Sequence, residues 1–249
     1  MSVRVYKLGG AAVEDPRLVA GLAAELRRLG GEAVLVHGGG SRVTELLDRL
    51  GIESRFVGGR RATSPAAMEV VEMVLSGLTN KALVAALGAA GVPALGLSGR
   101  DAGLIRARLE PELGKVGRPE AIDPGVLRAA WRGGWVPVVS PISSGPESEA
   151  VNVNADEAAL GVARALGAAS LVYLSDVDGV RIDDELVTQL DRAAAEAAIG
   201  SGQIRLGMRL KVDVALEASR AGIPEVVVAG AARLSGGFAG TRIVAEPAA

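Results

Sequence analysis

The chain has 249 residues, 27 Lys and Arg against 29 Asp and Glu, and a formal charge of −2, so it lacks the broad basic surface expected of a nucleic-acid binder. It has no cysteine, which excludes disulfides, thiolate nucleophiles and Cys-ligated metals. No uninterrupted apolar run approaches the roughly 18 residues of a membrane helix, so no membrane partner is expected.

Apolar residues make up 49% of the chain and aromatics only 2%, so the core must be built from Ala, Val, Leu and Ile, as in sheets covered on both faces by helices. A strand begins almost at once without a leader, which places the expected protein in the cytoplasm with a small-molecule ligand. Val3 to Leu8 alternates like a strand, and Lys7 is followed by Gly9 and Gly10 where a helix should start. A cation beside bare backbone N–H groups at a strand–helix junction suits an anion, most readily phosphate. The lysine precedes the glycines, unlike the Gly-x-x-x-x-Gly-Lys-Ser/Thr phosphate loop. Asp15-Pro16 reads as an N-cap with proline at the first helical position, and Gly30-Gly31 closes that helix before strand Ala33 to Val36. His37-Gly38-Gly39-Gly40 ends the second strand as the first ended, and a helix follows through Val43 to Leu50. Both glycine-rich turns therefore lie at strand carboxyl ends, the edge where open α/β sheets bind ligands. His37, the sole histidine, has no evident carboxylate partner and reads as a packed strand-end residue.

Arg60 and Arg61 precede a helix cap at Thr63 or Ser64 and are either a fork for a substrate carboxylate or a solvated pair. The pattern then predicts a helix from about Pro65 to Ala90, broken near Gly77, with Val70, Val74 and Leu78 on one face. Ala94 to Leu97 and Trp135 to Val139 read as strands, Leu104 to Gly117 as a β-hairpin over a cleft, and Asp123-Pro124 as a second capping signal. Ser143 to Ser148 is the expected mobile loop, with a lobe boundary nearby. Asn152, Asn154 and Asp156 open the next helix; Asn154 suits the cap, and Asp156 near two lysines would orient them and keep them charged. Strand Leu171 to Leu174 runs into Asp176-Val177-Asp178-Gly179, which lacks the later ligands of a calcium loop and reads as a turn at the ligand edge. Lys211, taken to lie in the first turn of a helix starting at Gly207, opposes the helix dipole by about 0.3–1 kcal/mol, a cost that a bound anion would offset. Strands from Glu225 to Val228 and Gly240 to Ile243 end the pattern, which has no tandem repeat and reads as α/β with parallel strands and crossover helices.

Taken in order, Lys7 to Gly10, His37 to Gly40, Arg61-Ala62-Thr63, Met68 to Val74, Asn80-Lys81, Leu97-Ser98-Gly99 and Asn152 to Asp156 resemble the amino-acid kinase family over Val3 to Ile243. Gly58 to Lys81 and the Asn-Val-Asn-Ala-Asp run resemble its branch acting on N-acetylglutamate more than those acting on carbamate, uridylate or aspartate. The resemblance implies a three-layer αβα sandwich around an open, mainly parallel sheet of about eight strands. It implies one domain, with an acyl-amino-acid lobe over residues 1–150 and a nucleotide lobe over 151–249. ATP with Mg²⁺ would phosphorylate the side-chain carboxylate of N-acetyl-L-glutamate, giving N-acetyl-L-glutamyl 5-phosphate in arginine biosynthesis. Lys7 and Lys211 would neutralise the transferring phosphoryl group from opposite sides, with Asp156 organising them. Gly9, Gly10 and Gly39 would supply backbone donors, and Gly39, Gly40, Arg61 and Asn152 would hold the substrate. Asp176, Gly179, Val180 and Arg181, with Ile204, Arg205, Gly207 and Met208, would border ATP.

Three departures qualify this. Leu206-Gly207-Met208 stands where the family has Gly-Gly-Met, the segment from Ala229 to Gly240 lacks the arginine-sensing pattern, and no helix precedes the first strand. The expectation is therefore a homodimer insensitive to arginine. The alternatives are a kinase for aminoadipate or glutamate borne on an acidic carrier protein, whose basic rim Arg55, Arg60 and Arg61 would supply; an N-succinylglutamate kinase; and a nucleotide-binding sensor without turnover. A dinucleotide-binding dehydrogenase fits less well, since Gly38-Gly39-Gly40 lacks the Gly-x-Gly-x-x-Gly spacing.

Overall fold

The structure, a computed structural model, describes residues 2–10, 13–30, 32–230, 234 and 240–244. The chain runs β1 (Arg4–Leu8), α1 (Pro16–Leu29), β2 (Ala33–His37), α2 (Gly40–Arg49), β3 (Arg55–Val57) and β4 (Arg60–Ala62). One long helix follows, made of α3 (Pro65–Glu72), a π-helical stretch (Met73–Thr79) and α4 (Asn80–Ala89). Then come β5 (Ala94–Ser98), β6 (Ile105–Leu109), β7 (Val116–Ile122), α5 (Gly125–Arg132), β8 (Val136–Ser140), β9 (Ile142–Ser144) and β10 (Ala150–Val153). The remainder is α6 (Ala155–Leu166), β11 (Ser170–Ser175), three two-residue strands β12 (Arg181–Ile182), β13 (Glu185–Leu186) and β14 (Gln189–Leu190), α7 (Arg192–Gly200), α8 (Leu206–Arg220), β15 (Glu225–Gly230) and β16 (Gly240–Ile243).

Eight strands form one sheet in the order β14-β16-β15-β11-β1-β2-β8-β5. Its pairings are parallel except β15 with β16. This is the open, mainly parallel sheet that the resemblance implied. Because side chains alternate across a strand, Val5 packs with Val34, Leu171 and Tyr173 on the side of α6 and α8, while Tyr6 and Leu8 pack with Leu35, Val172 and Leu22 on the opposite side. Lys7 therefore shares the face of Val5, and the small residues Ala158, Ala159 and Ala163 of α6, all buried, let that helix lie close against it.

Four sequence expectations change. The helix from Pro65 is not broken at Gly77; it continues through a π-helical stretch that inserts one residue per turn. That insertion shifts the buried stripe, so Val70 and Val74 are buried while Leu78 is 50% exposed and Leu75 and Thr79 face inward instead. The same helix, Pro65–Ala89, has 25 residues and an 18-residue window of mean hydropathy 1.5, enough by length and composition to cross a membrane, although Glu69, Glu72 and Lys81 interrupt its apolar run. Here Met68, Val71, Leu83 and Leu87 are buried in the core, as in a core helix. The expected loop at Ser143 to Ser148 is instead the end of β9 and a tight turn into β10, with Gly145 N donating to Glu149 O at 2.9 Å and Glu147 N to Glu149 Oε2 at 2.9 Å. The hairpin expected over a cleft is β6 with β7, but it closes with β9 and β10 into a four-stranded barrel. Gly31 and most of the segment from Ala229 to Gly240 lie outside the described residues.

His37 ends β2 fully buried, as expected of a packed residue, with Nδ1 2.8 Å from Gly38 O and Nε2 3.1 Å from Asn80 Nδ2. Asn80 also donates to Val138 O at 2.9 Å, and Lys81 Nζ donates to Asn80 Oδ1 at 3.1 Å. Burial pushes the imidazole down to about 4, so it is neutral, with Nε2 accepting from Asn80 and Nδ1–H donating to Gly38. The network leaves no room at Gly96, where a Cβ would stand 2.1 Å from Asn80 Oδ1. Gly96→Ala should cost about 1–3 kcal/mol as an overpacking change, read as a fall of several degrees in melting temperature. Because the unfolded imidazole binds a proton that the folded one refuses, stability should fall by about 3 kcal/mol as pH drops from 6.5 to 4; urea unfolding of wild type and His37→Gln across that range should show a shallower slope for the variant.

Candidate active site

Asn154 caps α6, its Oδ1 accepting from the backbone N–H of Asp156 at 2.9 Å and of Glu157 at 3.3 Å. This fixes Asp156 in the first turn of α6, over the carboxyl end of β1. Lys7 Nζ lies 2.9 Å and Lys211 Nζ 3.6 Å from the same Asp156 oxygen, Oδ1. All three side chains are buried. Both ammonium groups thus converge on one buried oxygen. Burial alone would raise the Asp156 pKa, but Lys7 and Lys211 together outweigh it and hold the group below its ordinary value. Burial, with the charge of Lys7 added, pushes Lys211 down to about 8 against the pull of Asp156. Two ammonium groups on one carboxylate leave a net positive centre, which favours an anion.

Two details differ from the sequence reading. Helix α8 begins at Leu206, so Lys211 stands in its second turn; the cost of its position is burial rather than opposition to the dipole. The sequence reading also missed Tyr173, whose ring centroid is 5.9 Å from Lys211 Nζ and which pairs in register with Lys7. A tyrosine within an otherwise aliphatic central strand was the available signal.

Beside Lys7 lies a cavity of about 190 Å³, bordered by Gly10, Gly39, Gly40, Arg61 and Asn152. The two glycine turns face each other, since a Cβ on Gly10 would come 3.5 Å from Gly40 N. Gly39 is the N-cap of α2 and makes no side-chain cap, and a Cβ there would crowd the π-helical wall, 2.8 Å from Leu75 Cδ2 and 3.2 Å from Thr79 Oγ1. The first-turn N–H groups of α2 thus open toward an anion. Gly9 departs from its expected role, because its N–H donates to Leu174 O at 3.0 Å and so ties β1 to β11.

Arg61 is buried, with Nη2 donating to Gly40 O at 3.0 Å and Thr44 Oγ1 at 2.7 Å, Nη1 donating to Ser54 Oγ, and its guanidinium 4.6 Å from the Phe56 ring centroid. No carboxylate among the described residues pairs with it, so its charge is available to an acidic ligand; burial lowers its pKa. Thr44 and Ser54 were not foreseen, since hydroxyls at those spacings carry no sequence signal. Asn152 Nδ2 donates to Thr63 Oγ1 at 3.1 Å, and Thr63 Oγ1 to Arg61 O at 2.7 Å, which links both substrate-side residues. Arg60 is not part of a two-arginine fork: it is paired with Glu157. The helix cap is Ser64, accepting from Ala67 N at 3.2 Å.

The residues assigned to the nucleotide edge divide. Asp176, Arg181, Arg205 and Gly207 are exposed and Met208 is half-buried. Val180 and Ile204 are core residues, Val180 N donates to Thr241 Oγ1 at 2.8 Å, and a Cβ on Gly179 would meet Leu186 Cδ1 at 2.7 Å. These three therefore frame the edge. Asp183 N donates to Gln203 Oε1 at 2.6 Å, which joins the two segments. Among the described residues no group of three or more His, Cys, Asp or Glu side chains is placed to hold a metal ion.

The sequence pattern of the amino acid kinase family matches residues 2–230. The chain is 43% identical over 260 residues to the acetylglutamate kinase of Rubrobacter xylanophilus, covering 100% of this chain and 99% of that protein. It is 42% identical over 248 residues to the acetylglutamate kinase of Chloroflexus aurantiacus (strain ATCC 29366), covering 97% and 96%. Among solved structures, smu.665 from Streptococcus mutans UA159 superposes with a TM-score of 0.88 at 25% identity, covering 97% of this chain and 98% of that one. The eight-stranded sheet, the lysine pair on Asp156 and these likenesses agree, and the chain belongs to the amino acid kinase family.

Proposed function

We propose that the protein transfers the γ-phosphoryl group of ATP to the side-chain carboxylate of N-acetyl-L-glutamate, forming N-acetyl-L-glutamyl 5-phosphate for arginine biosynthesis. The observation that carries this is the Lys7–Asp156–Lys211 cluster beside a cavity holding the unpaired charge of Arg61. Arg61 binds the α-carboxylate of the acceptor and Asn152 and Gly40 orient its backbone and acyl group. An oxygen of the side-chain carboxylate attacks the γ-phosphorus as the bond to the bridging oxygen of ADP breaks. A carboxylate is already a nucleophile, so the work left to the protein is alignment and neutralisation of charge. Lys7 approaches the transferring group from the acceptor side and Lys211 from the nucleotide side, while Asp156 holds both. Mg²⁺ would arrive on the nucleotide rather than on a cluster of protein carboxylates, since the described residues offer none, and would supply positive charge to the phosphate group.

The proposal places the acyl amino acid over residues 1–150 and the nucleotide over residues 151–249. Asn152 crosses that line because β10 pairs with β7 and β9 of the first lobe. It also takes the protein as a cytoplasmic homodimer insensitive to arginine, which light scattering and assay with added arginine test. A carrier-borne acceptor has less support, because Arg60 is tied to Glu157 and Arg61 is buried, leaving Arg55 as the exposed member of the expected basic rim.

Acyl phosphate trapped as a hydroxamate should form with ATP and N-acetylglutamate. Product only with N-succinylglutamate or with carrier-linked aminoadipate would redirect the assignment, and no product with any acceptor would leave a nucleotide sensor. Lys7→Met and Lys211→Met should each lower kcat by about 10²–10³. Since Lys211 in the free protein loses its proton near pH 8, ATP affinity should weaken above that pH, and Lys211→Arg should remove this basic limb.

A further inference from the structure

The β3–β4 hairpin pairs with no other named strand, and a two-stranded hairpin is marginal in water by itself. Its second strand nevertheless carries Arg61, on which the acceptor site depends. Something must pin it. Arg60 gives a bidentate ion pair to Glu157, with Nε donating to Oε2 at 3.2 Å and Nη2 donating to Oε1. Both side chains are largely buried, and their residues lie 97 positions apart in sequence. Each is the chain neighbour of a group in the site: Arg60 precedes Arg61, and Glu157 follows Asp156.

We propose that the Arg60–Glu157 ion pair is a positioning device that sets the acceptor-carboxylate site on Arg61 against the phosphoryl site on Asp156. Alternation across β4 makes this possible, since Arg60 and Arg61 point to opposite faces, one toward α6 and the other toward α2. Glu110, 3.9 Å from Arg60, and Arg118, 3.7 Å from Glu157, flank the pair and balance its charge. Glu157 does not border the acceptor cavity, though Arg60 does. Its ion pair with Arg60 links Glu157 to the hairpin and to that cavity. Replacing the fork by lysine would keep the charge and lose the two-point geometry.

The inference rests on the kinase reading, and a double-mutant cycle on the full-length protein tests it. Glu157→Gln and Arg60→Gln should each raise the KM for the acyl amino acid about tenfold, with the KM for ATP within about twofold of wild type, and the double variant should be no worse than either single one. Arg60→Lys should fall between. Single effects that multiply in the double variant, or a wild-type acceptor KM in Glu157→Gln, would overturn it. Hydrogen exchange of the amides from Arg55 to Ala62 needs no turnover: both single variants should exchange faster than wild type there, and unchanged protection would also overturn the pin. If wild type forms no acyl phosphate while exchange responds as expected, it is the kinase reading that has failed.

Discussion

One carboxylate holds two ammonium groups together at the centre of this protein. Burying an ion costs several kcal/mol even after relaxation, and two lysines at one point add their mutual repulsion. Asp156 offsets both costs from a position that itself favours a negative charge, the capped first turn of α6. Its single negative charge does not balance two positive ones. The residue of that imbalance is the affinity of the site for an anion, and it explains why burial and Lys7 depress Lys211 while Asp156 stays ionised. Strand β1, helix α6 and helix α8 come from distant parts of the chain, so the fold's central layer exists, in functional terms, to make these three groups meet.

The acceptor side follows a different rule. Arg61 is held by the carbonyl of Gly40 and the hydroxyls of Thr44 and Ser54, acceptors that fix the guanidinium plane without neutralising it. Its neighbour Arg60 is neutralised by Glu157. Two adjacent arginines thus have opposite fates because a strand sends them to opposite faces. The charge left on Arg61 beside the cavity favours an anionic ligand there.

Much of this was legible in the sequence where the signal is local. Alternation located β1 and β2, the glycines after Lys7 and His37 marked the ligand edge, and Asn154 announced the cap that places Asp156. Joining Lys7 to Lys211 required the resemblance, since no spacing rule connects residues so far apart. What escaped was decided by tertiary contact. The π-helical stretch has no composition of its own, and its Leu75 and Thr79 pack against the bare backbone of Gly39. The turn after Ser144 looked mobile from its Ser, Gly and Pro content, yet Glu149 closes it. Lys211 was read as a first-turn residue, but it is the sixth residue of a helix that begins at Leu206, one residue before Gly207.

The site is also defined by what its residues are unable to do. His37, the sole histidine, is sealed under Asn80 and kept neutral, with both ring nitrogens engaged. Asp156 is held ionised by two lysines, which makes it a poor proton acceptor. Arg61 has no proton to exchange near neutrality. Among the described residues, no carboxylate or imidazole borders the cavity to remove a proton from an acceptor. Such a site suits an acceptor that arrives already ionised, and among phosphoryl acceptors a carboxylate meets that condition where an alcohol does not. In the proposed reaction the positive centre acts on the phosphate oxygens alone, so the same two lysines that make the site costly to fold would supply the charge that the transferring group requires.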